Sequence, residues 1–176
     1  LIIMPAEFYT TIDTNDLAEM IAYLKTLPPV DREIPARALA FMPKAMLGLG
    51  VIPTSELIPA YKIDHEAVPQ SAPERGVTLE YGQYMAMVCA ACHGVDYGGM
   101  PPNSEGEKPA PNLTPSGELG TWSEADFLTT LQTGITPDGN YLSEKQMPWP
   151  KIGSADKEDL QAIWLYLQSL PPAPIK

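Results

Sequence analysis

The sequence predicts an all-α fold, and three observations support this prediction. Apolar residues recur at helical spacing in three separate segments. The chain contains 20 prolines and 13 glycines, a composition typical of helices joined by long irregular loops. With 44% hydrophobic residues, the chain also has enough apolar side chains for a packed core, which argues against disorder. We therefore expect a helical protein with stiff connections.

The last predicted helix begins near Asp156, a good N-cap residue, and runs to about Ser169 before Pro171 ends it. Its apolar positions fall on one face: Leu160, Ile163, Trp164, Leu167 and Leu170. A second helix is predicted from Ser123 to just before Gly134. A third covers about residues 78–91, and the Gly- and Pro-rich stretch from 93 to 122 predicts a long loop.

An internal repeat divides the chain. Shifting the sequence by 143 residues aligns Met4 with Met147 and gives ten identities without a gap. They are Met4, Pro5, Asp13, Asp16, Leu17, Tyr23, Leu24, Leu27, Pro28 and Pro29. The repeat predicts that residues 1–30 are the C-terminal remnant of a first domain, that 31–75 form a Pro-rich connector, and that 76–176 form a complete domain of the same kind.

The remnant would present an apolar face that must be covered. This face consists of Leu17, Met20, Ile21, Leu24 and Leu27, and each large apolar side chain gains about 1.5–3 kcal/mol from burial. We expect an upstream domain with its own haem, the complete domain, or a companion chain to cover it.

The motif Cys89-Ala90-Ala91-Cys92-His93 predicts one covalently bound haem c. On a helix, positions i, i+3 and i+4 share a face, so both sulfurs can reach one haem edge while the imidazole lies under the iron. A zinc site would need a fourth ligand, for which only His65 remains. A thioredoxin-like dithiol would need a β-α-β context. Both alternatives are weaker.

The second axial ligand of the iron is predicted to be Met147, which follows a loop and precedes the closing helix. Met100 is the rival, but only seven positions separate it from His93. The predicted metal ligands are therefore His93 and Met147. Such a pair raises the reduction potential and fills both axial positions, which suits electron transfer.

The charge of the chain limits its partners. It carries 22 acidic and 11 basic side chains, a formal charge of −11, which disfavours nucleic acid and favours redox proteins with a basic docking face. The most apolar run, residues 36–52, contains Pro43 and two cations, so membrane association is expected only through missing regions or a complex. Because haem attachment of this kind needs export, we expect a signal upstream of Leu1 and a periplasmic or other extracytoplasmic location.

Several short sequence segments, taken in the order in which they occur, resemble those of class I c-type cytochromes. The resemblance is strongest to the multihaem or diheme cytochrome c subunits of membrane-associated alcohol and gluconate dehydrogenases. After the cysteine motif they are PNLTP from Pro111, GTWSEADF from Gly120, TGITPDG from Thr133, MPW from Met147 and LYLQSLPP from Leu165. The match covers about residues 78–172 and, in part, 4–29. It implies a class I cytochrome c domain with three main helices around one haem.

The resemblance also implies roles for individual residues. Cys89 and Cys92 would form the thioethers, and His93 and Met147 would be the axial ligands. Pro111 and Asn112 would pass close to the haem, with a backbone carbonyl accepting the His93 ring N–H. Gly82 would allow close helix crossing near Trp164 and Tyr166. Trp122 and Trp149 would line the haem crevice, with core packing as an equally good interpretation.

The leading functional prediction is an electron carrier rather than an enzyme, passing single electrons between redox partners, or acting as the electron-transfer subunit of a dehydrogenase complex. The alternative is a haem enzyme or gas-binding sensor with an open sixth iron position. A third interpretation makes the chain a tethering piece of a larger assembly.

Overall fold

The computed structural model describes residues 9–33, 40–51, 63–66, 71–102, 106 and 108–173. The chain divides into two compact units, Leu1–Ala72 and Pro73–Lys176. Regular secondary structure within the described ranges is helical, and β-pairing there is limited to the isolated bridges Met100–Ala110 and Ile135–Tyr141. The prediction of an all-α fold is confirmed.

The first unit contains helices α1 (Thr14–Thr26) and α2 (Phe41–Gly48). Asp13 caps α1 by accepting backbone hydrogen bonds from Asn15 (2.7 Å) and Asp16 (3.3 Å). Its second carboxylate oxygen accepts the amide of Ala72 at 3.1 Å. Asp13 therefore ties the start of α1 to the end of the first unit. Met4 and Pro5, which begin the sequence repeat, lie outside the described residues.

Helix α2 is not predicted from the sequence, because Pro43 lies inside the apolar run. The structure places Pro43 at the third position of the helix. Amides of the first turn have no partner within a helix, so the missing N–H of proline costs nothing there. The first backbone hydrogen bond of α2 runs from Lys44 N to Ala40 O, at 3.2 Å. Proline thus starts this helix instead of breaking it.

The second unit contains helices α3 (Leu79–His93), α4 (Glu124–Thr133), α5 (Trp149–Ile152) and α6 (Lys157–Ser169). Helices α3 and α6 pack closely at Gly82, where a Cβ atom would overlap the carbonyl of Ala162 and lie 2.9 Å from Tyr166 Cβ. The implied close crossing is present at Tyr166. The nearest atoms besides Tyr166 belong to Ala162. The Trp164 ring packs against that of Phe127, with 5.3 Å between the ring centroids, and its proximity to the crossing stays a prediction.

The core of the second unit lies on the inner face of α6, where Leu160, Ile163 and Leu167 are at most 2% exposed. At the start of α6, Asp159 accepts a hydrogen bond from the buried Tyr81 hydroxyl at 2.9 Å. Arg75 donates to both carboxylate oxygens of Asp159, each at 3.1 Å. These contacts fix the N-terminal ends of α3 and α6 to each other.

One predicted capping role and one predicted helix end differ from the structure. Asp156 occupies the N-cap position of α6, but its carboxylate makes no capping bond and pairs with Arg75 instead. Helix α3 continues two residues beyond Ala91, so the whole cysteine motif is helical. For α4 the prediction is confirmed: Ser123 and Asp126 form a reciprocal capping box, and Gly134 ends the helix with φ +73°.

Candidate haem site

The three residues of the cysteine motif that carry chemistry lie in the last turns of α3. Cys89 is half-buried, Cys92 is exposed and His93 is buried at 6% exposure. Because the helix continues through His93, these residues have the i, i+3, i+4 spacing that places them on one helix face. The structure therefore brings two thiols and one imidazole to the same end of one helix.

The His93 ring is oriented by a backbone carbonyl. Its Nδ1 lies 2.8 Å from Pro111 O, and a carbonyl can only accept, so Nδ1 carries the proton. Burial lowers the pKa of His93, although the hydrogen bond to Pro111 opposes this effect. A neutral imidazole protonated on Nδ1 has its lone pair on Nε2, the form that binds a metal. The implied hydrogen bond is present, while a position of Pro111 beside a haem stays a prediction.

The carbonyl of Pro111 is followed by a hydrogen-bonded loop. Asn112 Oδ1 accepts from the backbone N and the hydroxyl of Thr114 at 2.8 and 2.7 Å, and Asn112 Nδ2 donates to Ser116 Oγ at 3.0 Å. Ser116 and Thr114 in turn bind the backbone of Ala173, beyond α6. We call Asn112, Thr114 and Ser116 the loop clamp. The Asn112 amide thus holds its own loop, and its proximity to a haem stays a prediction.

Tyr97 is part of this region and was missed by the sequence-based prediction. It is 6% exposed, and its ring meets that of Tyr166 edge-on at 5.7 Å. Its backbone has φ +55°, an uncommon conformation for a non-glycine residue. The Tyr97 carbonyl accepts the amide of Leu113 at 2.8 Å, two residues beyond Pro111. Burial raises the pKa of Tyr97, so its hydroxyl stays protonated.

Met147 lies in a segment whose backbone is fixed on both sides. Its amide donates to Ser143 O at 2.9 Å, and its carbonyl accepts from Trp149 N at 2.7 Å. The indole of Trp149 donates to Leu142 O at 3.1 Å and covers Gly134, where a Cβ atom would come within 2.7 Å of the ring. Met147 itself is half-buried. Trp149 therefore anchors the methionine segment to the end of α4.

The remaining predicted residues have less specific surroundings. Trp122 is half-buried directly before the N-cap of α4. The Trp149 ring also meets the Tyr141 ring edge-on, with 6.1 Å between the ring centroids, so Trp149 packs against a neighbouring aromatic side chain. Met100 is held by two backbone hydrogen bonds to Ala110 and is 37% exposed. For both tryptophans, a position in a haem crevice stays a prediction.

Comparison with known proteins yields a match to the family model described as cytochrome c, over residues 80–171, more than half of the chain. The chain belongs to the cytochrome c family. A protein named diheme cytochrome c-type from Cereibacter sphaeroides is 30% identical over an alignment of 178 positions. The alignment covers 95% of this chain and 58% of that protein. The predicted resemblance to c-type cytochromes of this group is confirmed.

Two dehydrogenase subunits are also similar. The fructose dehydrogenase cytochrome subunit of Gluconobacter japonicus is 26% identical over 96% of this chain and 36% of its own length. The cytochrome c subunit of alcohol dehydrogenase (quinone) from Gluconacetobacter polyoxogenes is 32% identical over 57% of this chain and 23% of its own length. The chain therefore spans less than two thirds of each of these relatives.

Membership of the cytochrome c family implies a covalently bound haem and electron transfer. The residues present fit a haem c: two cysteines at the required spacing, and a buried neutral histidine whose Nε2 is available to iron. Desolvation, together with Cys92, raises the pKa of the Cys89 thiol to about 11. At neutral pH this thiol is therefore protonated as long as no cofactor is attached to it.

Proposed function

We propose that this cytochrome c carries single electrons between redox partners through one haem, bound by Cys89, Cys92 and His93 and ligated on its other side by Met147. The haem, when bound, supplies a one-electron iron couple. The observation that carries the proposal is the His93 imidazole, buried at the end of the cysteine-bearing helix and fixed by Pro111 with Nε2 available.

The chain contributes three things to this function. Cys89 and Cys92 hold the cofactor to α3, which suits a carrier that must keep its haem through many cycles. The Pro111 carbonyl keeps the proton of His93 on Nδ1 and makes the imidazole a stronger electron donor. The hydrogen bonds around Pro111 and Met147 hold the backbone on both sides of the proposed site in a defined conformation, which favours a small structural change on electron transfer.

Support for Met147 as the second ligand comes from its surroundings. A ligand on a segment that is already ordered binds at a lower entropic cost, and Met147 lies between a turn at Ser143 and the anchored indole of Trp149. The rival Met100 is paired through its backbone with Ala110, within the loop that begins directly after His93. A methionine thioether as the second iron ligand would raise the reduction potential and would leave no open position for small ligands.

The test compares two matched variants of the haem-loaded protein, Met147→Leu and Met100→Leu. In Met147→Leu we expect loss of the weak far-red absorption band that ferric iron shows with a thioether ligand. We also expect a lower reduction potential and rapid carbon monoxide binding by the reduced protein. Met100→Leu is expected to behave like the parent protein in all three measurements, since it keeps the predicted ligand.

Two outcomes would contradict this ligand assignment. If Met100→Leu lost the band and Met147→Leu kept it, Met100 would be the ligand. If the unmodified reduced protein bound carbon monoxide as fast as Met147→Leu, the sixth position would be open, and a gas-binding sensor or haem enzyme would become the better interpretation.

For the compartment, we propose the periplasm or another extracytoplasmic space, with the chain acting in a dehydrogenase complex. Support comes from thioether attachment, which takes place on exported chains, and from the similarity to dehydrogenase subunits. Within the described ranges, no helix is both long and apolar enough to cross a bilayer. Fractionation of the source cells tests the compartment, since haem-stained protein in the cytosolic fraction would contradict it. Co-purification with dehydrogenase activity tests the complex.

A further inference from the structure

The turn that follows the cysteine motif, residues 94–100, contacts both partners of the His93–Pro111 hydrogen bond. The amide of Gly99 donates to the His93 carbonyl at 2.9 Å. Gly99 also lies against the Pro111 segment, since a Cβ atom on it would be 2.7 Å from Ala110 O and 3.2 Å from Pro111 C. The turn is therefore in contact with the histidine and with the segment whose carbonyl orients the histidine ring.

Tyr97 is the position of this turn where the backbone and the side chain favour different residues. Three residues of the turn have a positive φ: Gly94 at +83°, Gly99 at +91° and Tyr97 at +55°. Glycine adopts such a conformation without steric cost, whereas for tyrosine it is unfavourable. Because the backbone alone would favour glycine at this position, the phenol ring of Tyr97 has to offset the strain through its contacts.

The contacts of Tyr97 join α6 to the Pro111 segment. The side chain is 6% exposed, and its ring meets that of Tyr166 edge-on, with 5.7 Å between the ring centroids. Tyr166 belongs to α6 and lies at the close crossing beside Gly82. The Tyr97 carbonyl accepts the amide of Leu113 at 2.8 Å, two residues beyond Pro111. One residue thus connects a rigid helix to the segment that carries the orienting carbonyl.

We propose that Tyr97 is a positioning residue for the iron ligand His93: its ring contact with Tyr166 fixes the turn 94–100 against the Pro111 segment and so keeps the hydrogen bond from His93 Nδ1 to Pro111 O at its length of 2.8 Å. This inference rests on the proposed binding of iron by His93. Tyr97 touches neither atom of that hydrogen bond in this account and acts through the backbone that carries them.

The chemical consequence concerns the reduction potential. A hydrogen bond from Nδ1 to a carbonyl makes an imidazole a stronger electron donor, which favours ferric iron. If the Pro111 segment moves away, the bond from His93 lengthens and the imidazole becomes a weaker donor. Ferrous iron is then favoured, and the reduction potential rises.

The first test measures the reduction potential of haem-loaded Tyr97→Leu. At a fixed ambient potential, the ratio of reduced to oxidised protein should rise about three- to tenfold, and tenfold corresponds to about 59 mV for one electron. Tyr81→Leu is the matched control. Tyr81 is 9% exposed, is bound to α6 through Asp159, and lies about 18 Å along α3 from His93. This control should lose comparable stability and keep the potential of the parent protein.

A second measurement follows the His93 ring itself. In the reduced, diamagnetic protein, the Nδ1 proton should exchange with solvent deuterium about tenfold faster in Tyr97→Leu than in the parent or in Tyr81→Leu. Tyr97→Phe keeps the ring contact and is expected to stay close to the parent in exchange and in potential.

Tyr166→Leu removes the same contact from the α6 side and leaves the turn 94–100 unaltered. It should reproduce both effects, and the double variant with Tyr97→Leu should add little to either single variant. If Tyr97→Leu is recovered without haem, Tyr166→Leu compared with Tyr81→Leu provides the same test.

Three results would overturn the inference. If Tyr97→Leu lost stability but kept the potential and the ring exchange of the parent, Tyr97 would be a core residue only. An equal shift in Tyr97→Phe would exclude the ring contact as the cause. Fully additive shifts in the double variant would mean that Tyr97 and Tyr166 act separately. Failure of the proposed function is distinguishable, because the His93 ring protons of the reduced parent would then lack the upfield shift that a haem ring gives to an axial imidazole.

Discussion

At the residue scale, the hydroxyl of Thr114 joins segments that are far apart in sequence. Thr114 is fully buried, and its Oγ1 donates to Asn112 at 2.7 Å and accepts the amide of Ala173 at 3.1 Å. Through Asn112 it steadies the residue next to Pro111, whose carbonyl orients His93. The C-terminal segment is thereby linked to the histidine side of the haem site.

Removing this hydroxyl is expected to destabilise the haem-loaded protein more than removing the methyl group beside it. Thr114→Val removes the acceptor of the Ala173 amide and one of the two hydrogen bonds to Asn112 Oδ1, at a cost of about 2 kcal/mol. Thr114→Ser keeps the hydroxyl and loses one methyl, for about 1 kcal/mol. Denaturant unfolding followed by haem absorbance measures both. Equal losses in the two variants would mean that packing, and not the hydrogen bonds, is what Thr114 contributes.

The residues of the haem site differ in how visible they are in the sequence. Cys89, Cys92 and His93 form a contiguous pattern, because attachment to one haem edge requires a fixed spacing along one helix. Asn112 is visible only through the string that begins at Pro111, and the roles of Thr114 and Tyr97 have no sequence pattern. Thr114 acts through Ala173, and Tyr97 acts through Tyr166, so their roles depend on tertiary contacts across more than 50 residues. Sequence spacing cannot specify those contacts.

At the scale of elements, the crossing of α3 and α6 depends on one missing side chain. We expect Gly82→Ala to destabilise the protein by about 1–3 kcal/mol, because the new Cβ would overlap the carbonyl of Ala162 and neither backbone can move cheaply. Gly76→Ala is the matched control in the same unit, since its Cβ would have its nearest contact at an ordinary 3.9 Å, to Thr78. Thermal unfolding of both variants, with haem content measured first, checks the difference. A similar loss in Gly76→Ala would refute the crossing explanation.

The helices that the sequence predicts are those with a local signal at both ends. Helix α4 has a capping box at Ser123 and a glycine at 134, and its boundaries follow from these residues alone. Helix α2 lacks a side-chain cap and contains Pro43, so local rules favour a loop. For α6 the N-cap position is correct but the role of Asp156 is not, because Arg75 binds its carboxylate. A distant partner takes precedence over a local one.

At the scale of the whole molecule, the formal charge of −11 distinguishes this cytochrome from a neutral carrier. Acidic residues outnumber basic ones in both units, so the field is not confined to one of them. Ionised haem propionates would add to it. A field of one sign raises the encounter rate with oppositely charged partners and lowers it with similarly charged ones. This is the physical basis for expecting a basic docking face on the redox partner.

The same field predicts how electron exchange responds to salt. Oxidation of the reduced protein by a cationic cobalt complex should slow by about tenfold between low and physiological ionic strength, as the Debye length falls from about 30 Å to about 8 Å. Oxidation by hexacyanoferrate(III), an anion, should become faster over the same range, because screening removes repulsion. Stopped-flow absorbance of the haem measures both rates. If salt slowed oxidation by both reagents, or by neither, the net charge would not govern the encounter at the site where electrons leave. The docking face would then have to be inferred from the local charges around Cys92 and His93.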